Sequence, residues 1–222
     1  GGWGGGGGGE GTFRAEGVCV DNALESHSAS STGDANGQLL YLAEFRSGSI
    51  DEGAYPSGVE PGCSLCGVPY GEGHVYTVFG KTTCDYAGST KLYEGMLVGT
   101  QHNQHGGTTG GKCFAKDSQH PSDQVAGTQA ARSVLDGAEY QTHSGYTIPS
   151  SVHFSHNTDV ACVVCLSADI VDSYYQWGRG TSCSNGHETL YSGRVFGERG
   201  GSEGHYRSEM MCVDNALEAH SA

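Results

Sequence analysis

Short apolar and aromatic runs, each closed by glycine or a polar cluster, form the main pattern along this chain. The runs Val-Tyr-Thr-Val-Phe at 75–79 and Ser-Tyr-Tyr-Gln-Trp at 173–177 are β-branched and aromatic, as strands are. Residues 159–166 form a nearly continuous apolar run, which is typical of a buried strand. The only helix-like stretch is 124–135, and Gly127 lies inside it. The pattern therefore predicts a mainly β fold with long loops.

One segment of the chain occurs twice, once towards each end. The residues Cys-Val-Asp-Asn-Ala-Leu-Glu at 19–25 return unchanged at 212–218, and the wider match joins 10–29 to 203–222 at a constant offset of 193 residues. If this segment is a strand with one docking place in the fold, the chain carries a spare copy. The spare copy can occupy the same place in a neighbouring chain, which is a route to open filaments.

We therefore expect residues 11–29 to dock in another copy of the same protein, with main-chain pairing for affinity and alternate side chains in pockets. Residues 1–11 are Gly-Gly-Trp and a glycine run, which is either a flexible linker or a strand in a groove too narrow for side chains. The residues predicted to carry self-assembly are Trp3, Phe13, Arg14, Val18, Cys19 and Val20.

A second duplication relates the two parts of the remaining chain. Cysteines recur after 99 residues in four pairs: Cys63 and Cys162, Cys66 and Cys165, Cys84 and Cys183, Cys113 and Cys212. Because the motifs between them recur as well, we predict two homologous disulfide-stapled β modules. The predicted organisation is a glycine-rich arm with the exchangeable segment at 1–30, a first module at 31–124 and a second module at 125–222.

The cysteine content predicts disulfides and an oxidising, extracellular location. The nine cysteines are Cys19, Cys63, Cys66, Cys84, Cys113, Cys162, Cys165, Cys183 and Cys212. A redox or zinc role for the two Cys-x-x-Cys pairs is the alternative, but neither pair opens a helix and the pairs lie 99 residues apart. An odd number leaves one cysteine free or bonded to another chain.

The sequence does not fix how these cysteines pair. Our working hypothesis joins Cys84 to Cys113 and Cys183 to Cys212. Cys19 is then a second candidate partner for Cys183, and exchange between chains would turn this competition into an interchain bond.

Charge and signature motifs exclude several classes of function. The net charge of −14 argues against nucleic-acid binding, and no run of about 18 apolar residues is present to span a membrane. Because no secretory leader opens the chain, we expect a mature secreted form. The chain has no Gly-x-Ser-x-Gly, His-Glu-x-x-His or P-loop motif, so we expect no enzyme activity.

Metal binding is weighed against an ordinary polar surface. Histidines three residues apart can share a metal, and the Asp-x-x-x-Glu of each repeated segment offers oxygen ligands for calcium, without the loop of an EF-hand. The candidate ligands are His102, His105, His120, Asp21, Glu25, Asp214 and Glu218. We expect no cofactor, with calcium or another divalent cation as the alternative.

Four motifs follow one another in a fixed order, namely Tyr-x-x-Phe-Gly-Lys-Thr-Thr-Cys at 76–84, Leu-Tyr-Glu-Gly at 92–95, Cys-Val-Val-Cys at 162–165 and Tyr-x-x-Trp-Gly-Arg-x-Thr-Ser-Cys at 174–183. Together they resemble the duplicated cysteine-rich domain of short-chain collagen C4-like proteins, which sponges, molluscs and other marine invertebrates secrete. The resemblance rests on this ordered set. It covers most of 12–222. The stretch resembling the end of the family domain comes first here, so the chain looks like a rotated window on a repeat of 193 residues. The resemblance implies secretion and a structural role, and it supplies no catalytic residues.

These observations predict a secreted structural protein that assembles head to tail into an extracellular filament or matrix fibre. The alternative is a carbohydrate-binding, lectin-like module in which Tyr93, Trp177 and Tyr191 stack on sugars.

Overall fold

The computed structural model describes residues 19, 23, 43–48, 50–68, 70–99, 111–120, 133–141, 154–178, 182–197 and 209–220. The prediction of a mainly β fold is confirmed, because these residues form ten strands and one 3₁₀ turn. The strands are β1 Ala43–Phe45, β2 His74–Phe79, β3 Ser89–Gly99, β4 Lys112–Ala115, β5 Ser133–Gly137, β6 Glu139–Tyr140, β7 Thr158–Asp159, β8 Ala161–Ser167, β9 Gly193–Phe196 and β10 Met211–Asp214. The turn is Ser184–Gly186. In the described part of the chain, no helix has the length and apolar character needed to cross a membrane.

One eight-stranded sheet organises the described residues. Its strand order is β1-β5-β3-β8-β2-β10-β9, with β4 paired to β3 beside this path, while β6 and β7 form a separate pair. The sheet interleaves strands that lie far apart in the sequence. We use first half for the described residues 43–120 and second half for 133–220. The predicted division of the chain into modules stays a prediction.

Strand β8 lies at the centre of this sheet. It pairs antiparallel with β2 on one side and with β3 on the other. The apolar run predicted at 159–166 thus forms a buried strand, and the run at 75–79 forms β2, with Tyr76 and Val78 on its buried face. An apolar strand fits this place because both of its faces and both of its edges are covered.

Two local predictions are wrong. The helix-like stretch ends in strand β5, which pairs in parallel with β1, so tertiary pairing overrides the local pattern at 133–135. The rest of that stretch lies outside the described residues. The predicted strand at 173–177 has no regular secondary structure.

Three disulfides join the described cysteines, namely Cys19 to Cys63, Cys84 to Cys165 and Cys113 to Cys162. The hypothesis that Cys84 pairs with Cys113 is therefore wrong. Strand β8 inserts between β2 and β3 and brings its own two cysteines to Cys84 and Cys113. Cys183 and Cys212 are both free, and Cys19 does not compete for Cys183. Cys66 is the third free cysteine of the described residues.

Removing the bond between Cys84 and Cys165 should lower the free energy of unfolding by about 3–5 kcal/mol, because this bond closes a long loop in the unfolded chain. The double variant Cys84→Ala/Cys165→Ala tests this by chemical denaturation. Cys66→Ala is the matched control, since Cys66 holds the equivalent place in the other Cys-x-x-Cys pair and is exposed and free. Equal stabilities of the two variants would contradict the assignment.

Candidate functional site

The C-terminal segment 211–220 docks onto the sheet, and we call the surface that receives it the C-terminal docking site. Strand β10 pairs antiparallel with β9 over four residue pairs and in parallel with β2 at Phe79. Its Val213 is buried in a cluster with Leu97, Tyr140 and Val160. The segment thereby joins β2 of the first half to β9 of the second half.

Glu218 anchors the end of this segment. Its carboxylate accepts hydrogen bonds from the backbone N–H of Thr82 at 3.0 Å and from the Thr82 hydroxyl at 2.5 Å. The same carboxylate lies 3.0 Å from Nζ of Lys81, which also pairs with Asp85 at 3.0 Å. The backbone N–H of Glu218 donates to the carbonyl of Gly80 at 2.6 Å. The Gly-Lys-Thr-Thr motif after β2 is thus the receptor for this glutamate.

Charge strengthens the contact between these residues. Burial raises the pKa of Glu218, but hydrogen bonds from Thr82 and Lys81 outweigh it and hold the pKa below its ordinary value of 4.5. Burial also opposes the charge of Lys81, yet hydrogen bonds to Asp85 and Glu218 raise its pKa. The ion pair therefore stabilises docking above the ordinary carboxyl pKa, and this stabilisation is lost as the pH falls through the lowered pKa of Glu218.

Asp214 acts in the opposite direction. Burial and the neighbouring charges of Asp85 and Glu218 raise the pKa of Asp214, and the N–H of Ala216 and the charge of Lys81 only partly offset this. Protonation in acid relieves that unfavourable term. The two carboxylates thus have opposite effects in acid: loss of the Glu218 ion pair should weaken docking, and protonation of Asp214 should partly offset that loss.

Contacts continue to the end of the described segment. Ala219 forms a bridge with Val160, and the backbone N–H of His220 donates to the carbonyl of Asp159 at 2.9 Å. Nε2 of His220 lies 3.4 Å from Oδ2 of Asp51. The docking site thus binds the segment along its whole described length, which fits its predicted role as a specific strand.

The N-terminal copy carries the same anchoring side chains. Val213, Asp214, Leu217, Glu218 and His220 return at positions 20, 21, 24, 25 and 27 of the sequence. Within the N-terminal copy the structure describes only Cys19 and Ala23, and the bond to Cys63 ties Cys19 to the first half. The other predicted assembly residues, Trp3, Phe13, Arg14, Val18 and Val20, lie outside the described residues.

The β9–β10 hairpin repeats the β3–β4 hairpin in the same register. Gly95 lies opposite Ala115 in the first half, and the equivalent Gly193 lies opposite Asp214 in the second half. Equivalent tyrosines make equivalent hydrogen bonds. These bonds are Tyr93 Oη to the Cys113 carbonyl at 3.3 Å and Tyr191 Oη to the Cys212 carbonyl at 3.0 Å, and Tyr76 Oη with Ser89 Oγ at 2.8 Å and Tyr174 Oη with His187 Nδ1 at 2.9 Å.

Among the described residues, the second half has no strand in the place that β8 takes in the first half. In the first half, β8 lies between β2 and β3, and the side chain of Tyr76 is buried beneath it at 7% exposure. The equivalent Tyr174 of the second half is 55% exposed. The predicted strand at 173–177 has no strand partner among the described residues, which explains why it forms no regular structure.

A groove of about 910 Å³ occupies this part of the second half. Its lining includes residues 169–177 and 187–193, the edge of β2, and the two free cysteines Cys183 and Cys212. The rings of Tyr175 and Trp177 lie 5.5 Å apart beside it, and both are about half exposed. The groove is therefore open, and its lining combines aromatic rings and two thiols with polar and charged side chains.

No group of three or more histidine, cysteine or acidic side chains in the described part of the chain is placed to hold a metal ion. The ring of His120 packs against Phe45, and Glu218 and Asp214 accept hydrogen bonds from their own chain. The remaining candidates, His102, His105, Asp21 and Glu25, lie outside the described residues. The expectation of no cofactor and the divalent-cation alternative both stay untested at these positions.

Comparison of the chain with family models, with curated proteins and with solved structures found no match. The resemblance to collagen C4-like proteins accordingly stays a prediction. The function must be argued from the docking site and the groove. Sequence reasoning did not identify Gly80, Lys81 and Thr82 as the receptor of the C-terminal segment. The repetition of Glu25 as Glu218 was the available signal that this carboxylate has a specific partner.

Substituting Gly80 by alanine should weaken docking of the C-terminal segment. Gly80 has φ +84°, and an added Cβ would lie 2.6 Å from Cγ1 of Val213 and 3.2 Å from Cβ of Leu217. Gly178 is the matched control, since it has φ +82° with no atom within 4 Å of the added Cβ. Both variants bear a backbone cost of about 1 kcal/mol, and Gly80→Ala should lose about 1–3 kcal/mol more through overpacking.

Chemical denaturation and amide hydrogen exchange across 211–220 measure this difference. Faster exchange of that segment in Gly80→Ala than in Gly178→Ala is expected. Equal losses of stability and unchanged exchange would show that the segment does not pack there.

Proposed function

We propose that this chain is the secreted subunit of an extracellular filament or matrix fibre, and that it assembles head to tail by exchange of its N-terminal segment. The observation that supports this is the recurrence, at 20–27, of the side chains that anchor 213–220 in the docking site. One chain thus has two segments suited to one docking site. The spare segment binds the docking site of a neighbour.

The direction of this contact determines the form of the product. The docking segment lies near the N-terminal end of one copy, and the surface it binds is completed by the last strands of another. Such a contact uses different surfaces on the two partners, so it repeats without closing on itself unless the rotation closes a ring. An open filament is the expected product.

The two copies share their anchoring side chains, so we expect the replacement of one by the other to change the contact energy little. The chain's own C-terminal segment has the advantage of belonging to the same chain, because an intramolecular segment reaches an effective concentration on the order of 1 mM. Exchange is therefore favoured at high protein concentration and by any change that weakens the resident segment.

The disulfides and the net charge of the protein support assembly outside the cell. Three disulfides in the described residues indicate an oxidising compartment. The net charge of −14 makes chains repel one another, and salt screens this repulsion over roughly 8 Å at physiological ionic strength. Assembly by short-range strand pairing should therefore proceed in the salt of extracellular fluid.

Deleting residues 1–29 should abolish filaments and leave a folded, soluble chain, because the sheet and two disulfides lie within 43–220. Light scattering and electron microscopy at matched concentration are the measurements. The control is full-length Cys19→Ser, which loses the bond to Cys63 and keeps the segment. Filaments of normal yield from the truncated chain would exclude exchange of the N-terminal segment.

Weakening either copy should change assembly in opposite directions. Glu218→Gln loses the charge that pairs with Lys81, a loss of about 1.5 kcal/mol, and frees the site for a neighbour. Glu25→Gln weakens the incoming copy by a similar amount. The critical concentration for assembly should fall about tenfold in Glu218→Gln and rise about tenfold in Glu25→Gln. Shifts in the same direction would contradict the competition.

A second candidate function rests on the exposed aromatic rings. Trp177 and Tyr93 are 52% and 38% exposed, whereas Tyr191 is half-buried, so two of the three predicted sugar-stacking residues are accessible. Aromatic rings with a free face bind sugars by stacking. Glycan binding by isolated monomers of the truncated chain would favour a lectin-like role.

A further inference from the structure

We infer that the groove of the second half receives residues 62–68 of another copy as the strand that it lacks, and that a disulfide from Cys66 of that copy to Cys183 locks the joint. This inference rests on the proposed head-to-tail assembly and specifies its partner segment. Three features support it: the cysteine pairing within one chain, the exposed side chains of residues 62–68 and the exposed side chains of the groove.

The disulfides of β8 give the pairing rule. The second cysteine of its Cys-Val-Val-Cys, Cys165, bonds Cys84, which follows β2. Cys66 lies 99 residues before Cys165, and Cys183 lies 99 residues after Cys84. Cys66 with Cys183 is therefore the equivalent pair, and both cysteines are free in the single chain.

The bond between Cys19 and Cys63 follows the same rule. Within one chain Cys113 of β4 bonds Cys162, the first cysteine of β8. Cys63 is the equivalent of Cys162, and Cys19 repeats Cys212, which is the equivalent of Cys113. The N-terminal segment and residues 62–68 are thus stapled to each other as β4 and β8 are.

This staple explains how the two segments reach a neighbour together. When the N-terminal segment takes the docking site of a neighbour, the bond from Cys19 brings residues 62–68 to the place equivalent to β8, which is the groove. All cysteines except Cys212 are then paired. Cys212 is left over because its copy, Cys19, already holds Cys63.

The donor segment is exposed to solvent and unpaired by any strand among the described residues. Residues 61–68 have no regular secondary structure, Leu65 is 99% exposed and Cys66 is exposed. The equivalent residues of β8, Val164 and Cys165, are buried. No residue of 61–68 lines the groove of its own chain. The segment therefore carries the side chains of a core strand without the cover that β8 has.

The receiving groove exposes the complementary side chains. Tyr174, Tyr175 and Trp177 are about half exposed there, whereas Tyr76 and Val78 of β2 are buried by β8. An extended strand between 173–177 and 189–193 would cover these rings and pair with both segments. Such strand addition gains main-chain hydrogen bonds and fills pockets with alternate side chains.

Bond formation requires an oxidant, for which we take a low-molecular-weight disulfide. One cysteine thiolate attacks it and releases one small thiol, leaving a mixed disulfide. The second cysteine thiolate attacks the mixed disulfide, forms the bond between Cys66 and Cys183 and releases the second small thiol. The two protein thiols lose two protons and two electrons, and the small disulfide gains the electrons as two thiols.

A mixing experiment separates an interchain bond from an intrachain bond. In a full-length Cys212→Ser background, Cys66→Ser is prepared unlabelled and Cys183→Ser is prepared with ¹⁵N. Each protein is incubated with oxidised glutathione, once alone and once mixed with the other protein. The peptides are then mapped without reduction. We expect at least about tenfold more disulfide-linked dimer in the mixture, with the ¹⁵N peptide of Cys66 joined to the unlabelled peptide of Cys183.

The outcomes distinguish this inference from the proposed function. Filaments of the unsubstituted chain without this linked peptide would overturn the inference and leave exchange standing. A bond from Cys66 to Cys183 within dilute, monomeric, unsubstituted protein would also overturn it. Linked dimers of the mixed variants, with an unsubstituted chain that never grows beyond short oligomers, would support the joint and contradict the filament.

Discussion

The insertion of β8 between β2 and β3 is the interaction on which the rest of the structure depends. This strand comes from the second half, yet it completes the sheet of the first half, and two disulfides hold it there. Its removal would leave β2 and β3 as separate edges with apolar faces in water. The first half of the chain therefore cannot complete its core from its own residues.

The consequence for the second half is a shortage of one strand. Its hairpin β9–β10 and its tyrosine contacts repeat those of the first half. The strand that the second half could place beside them, β8, pairs instead with β2 and β3 of the first half. Residues 62–68 of the first half are the segment equivalent to β8, and they are exposed. The second half thus supplies a strand to the first half, and the first half exposes an equivalent segment. Such a chain is suited to continue the same exchange with its neighbours. Filament growth in this account repeats between copies what β8 does within one.

The sequence predicted the elements whose signal is local. The apolar run at 159–166 and the alternating run at 75–79 became β8 and β2, because their side-chain patterns match the burial that the sheet imposes. These features need no knowledge of which strands become neighbours.

What the sequence could not predict was pairing across the two halves. Cys84 meets Cys165 because β8 of the second half inserts beside β2, so the hypothesised pairing of Cys84 with Cys113 failed. The run at 173–177 has the composition of a strand and forms none, because strand structure requires a partner. The receptor for Glu218, formed by Lys81 and Thr82, lies far away in the sequence and becomes visible only when β10 docks beside β2.

The most direct measurement is a cryo-electron microscopy reconstruction of the material assembled from the full chain, at a resolution that traces the backbone. The account predicts a sheet in each subunit that contains residues 62–68 and the N-terminal segment of an adjacent subunit, with continuous density between Cys66 and Cys183 across the joint. A reconstruction in which both segments fold back onto their own subunit, with neighbours touching only through side chains, would contradict it.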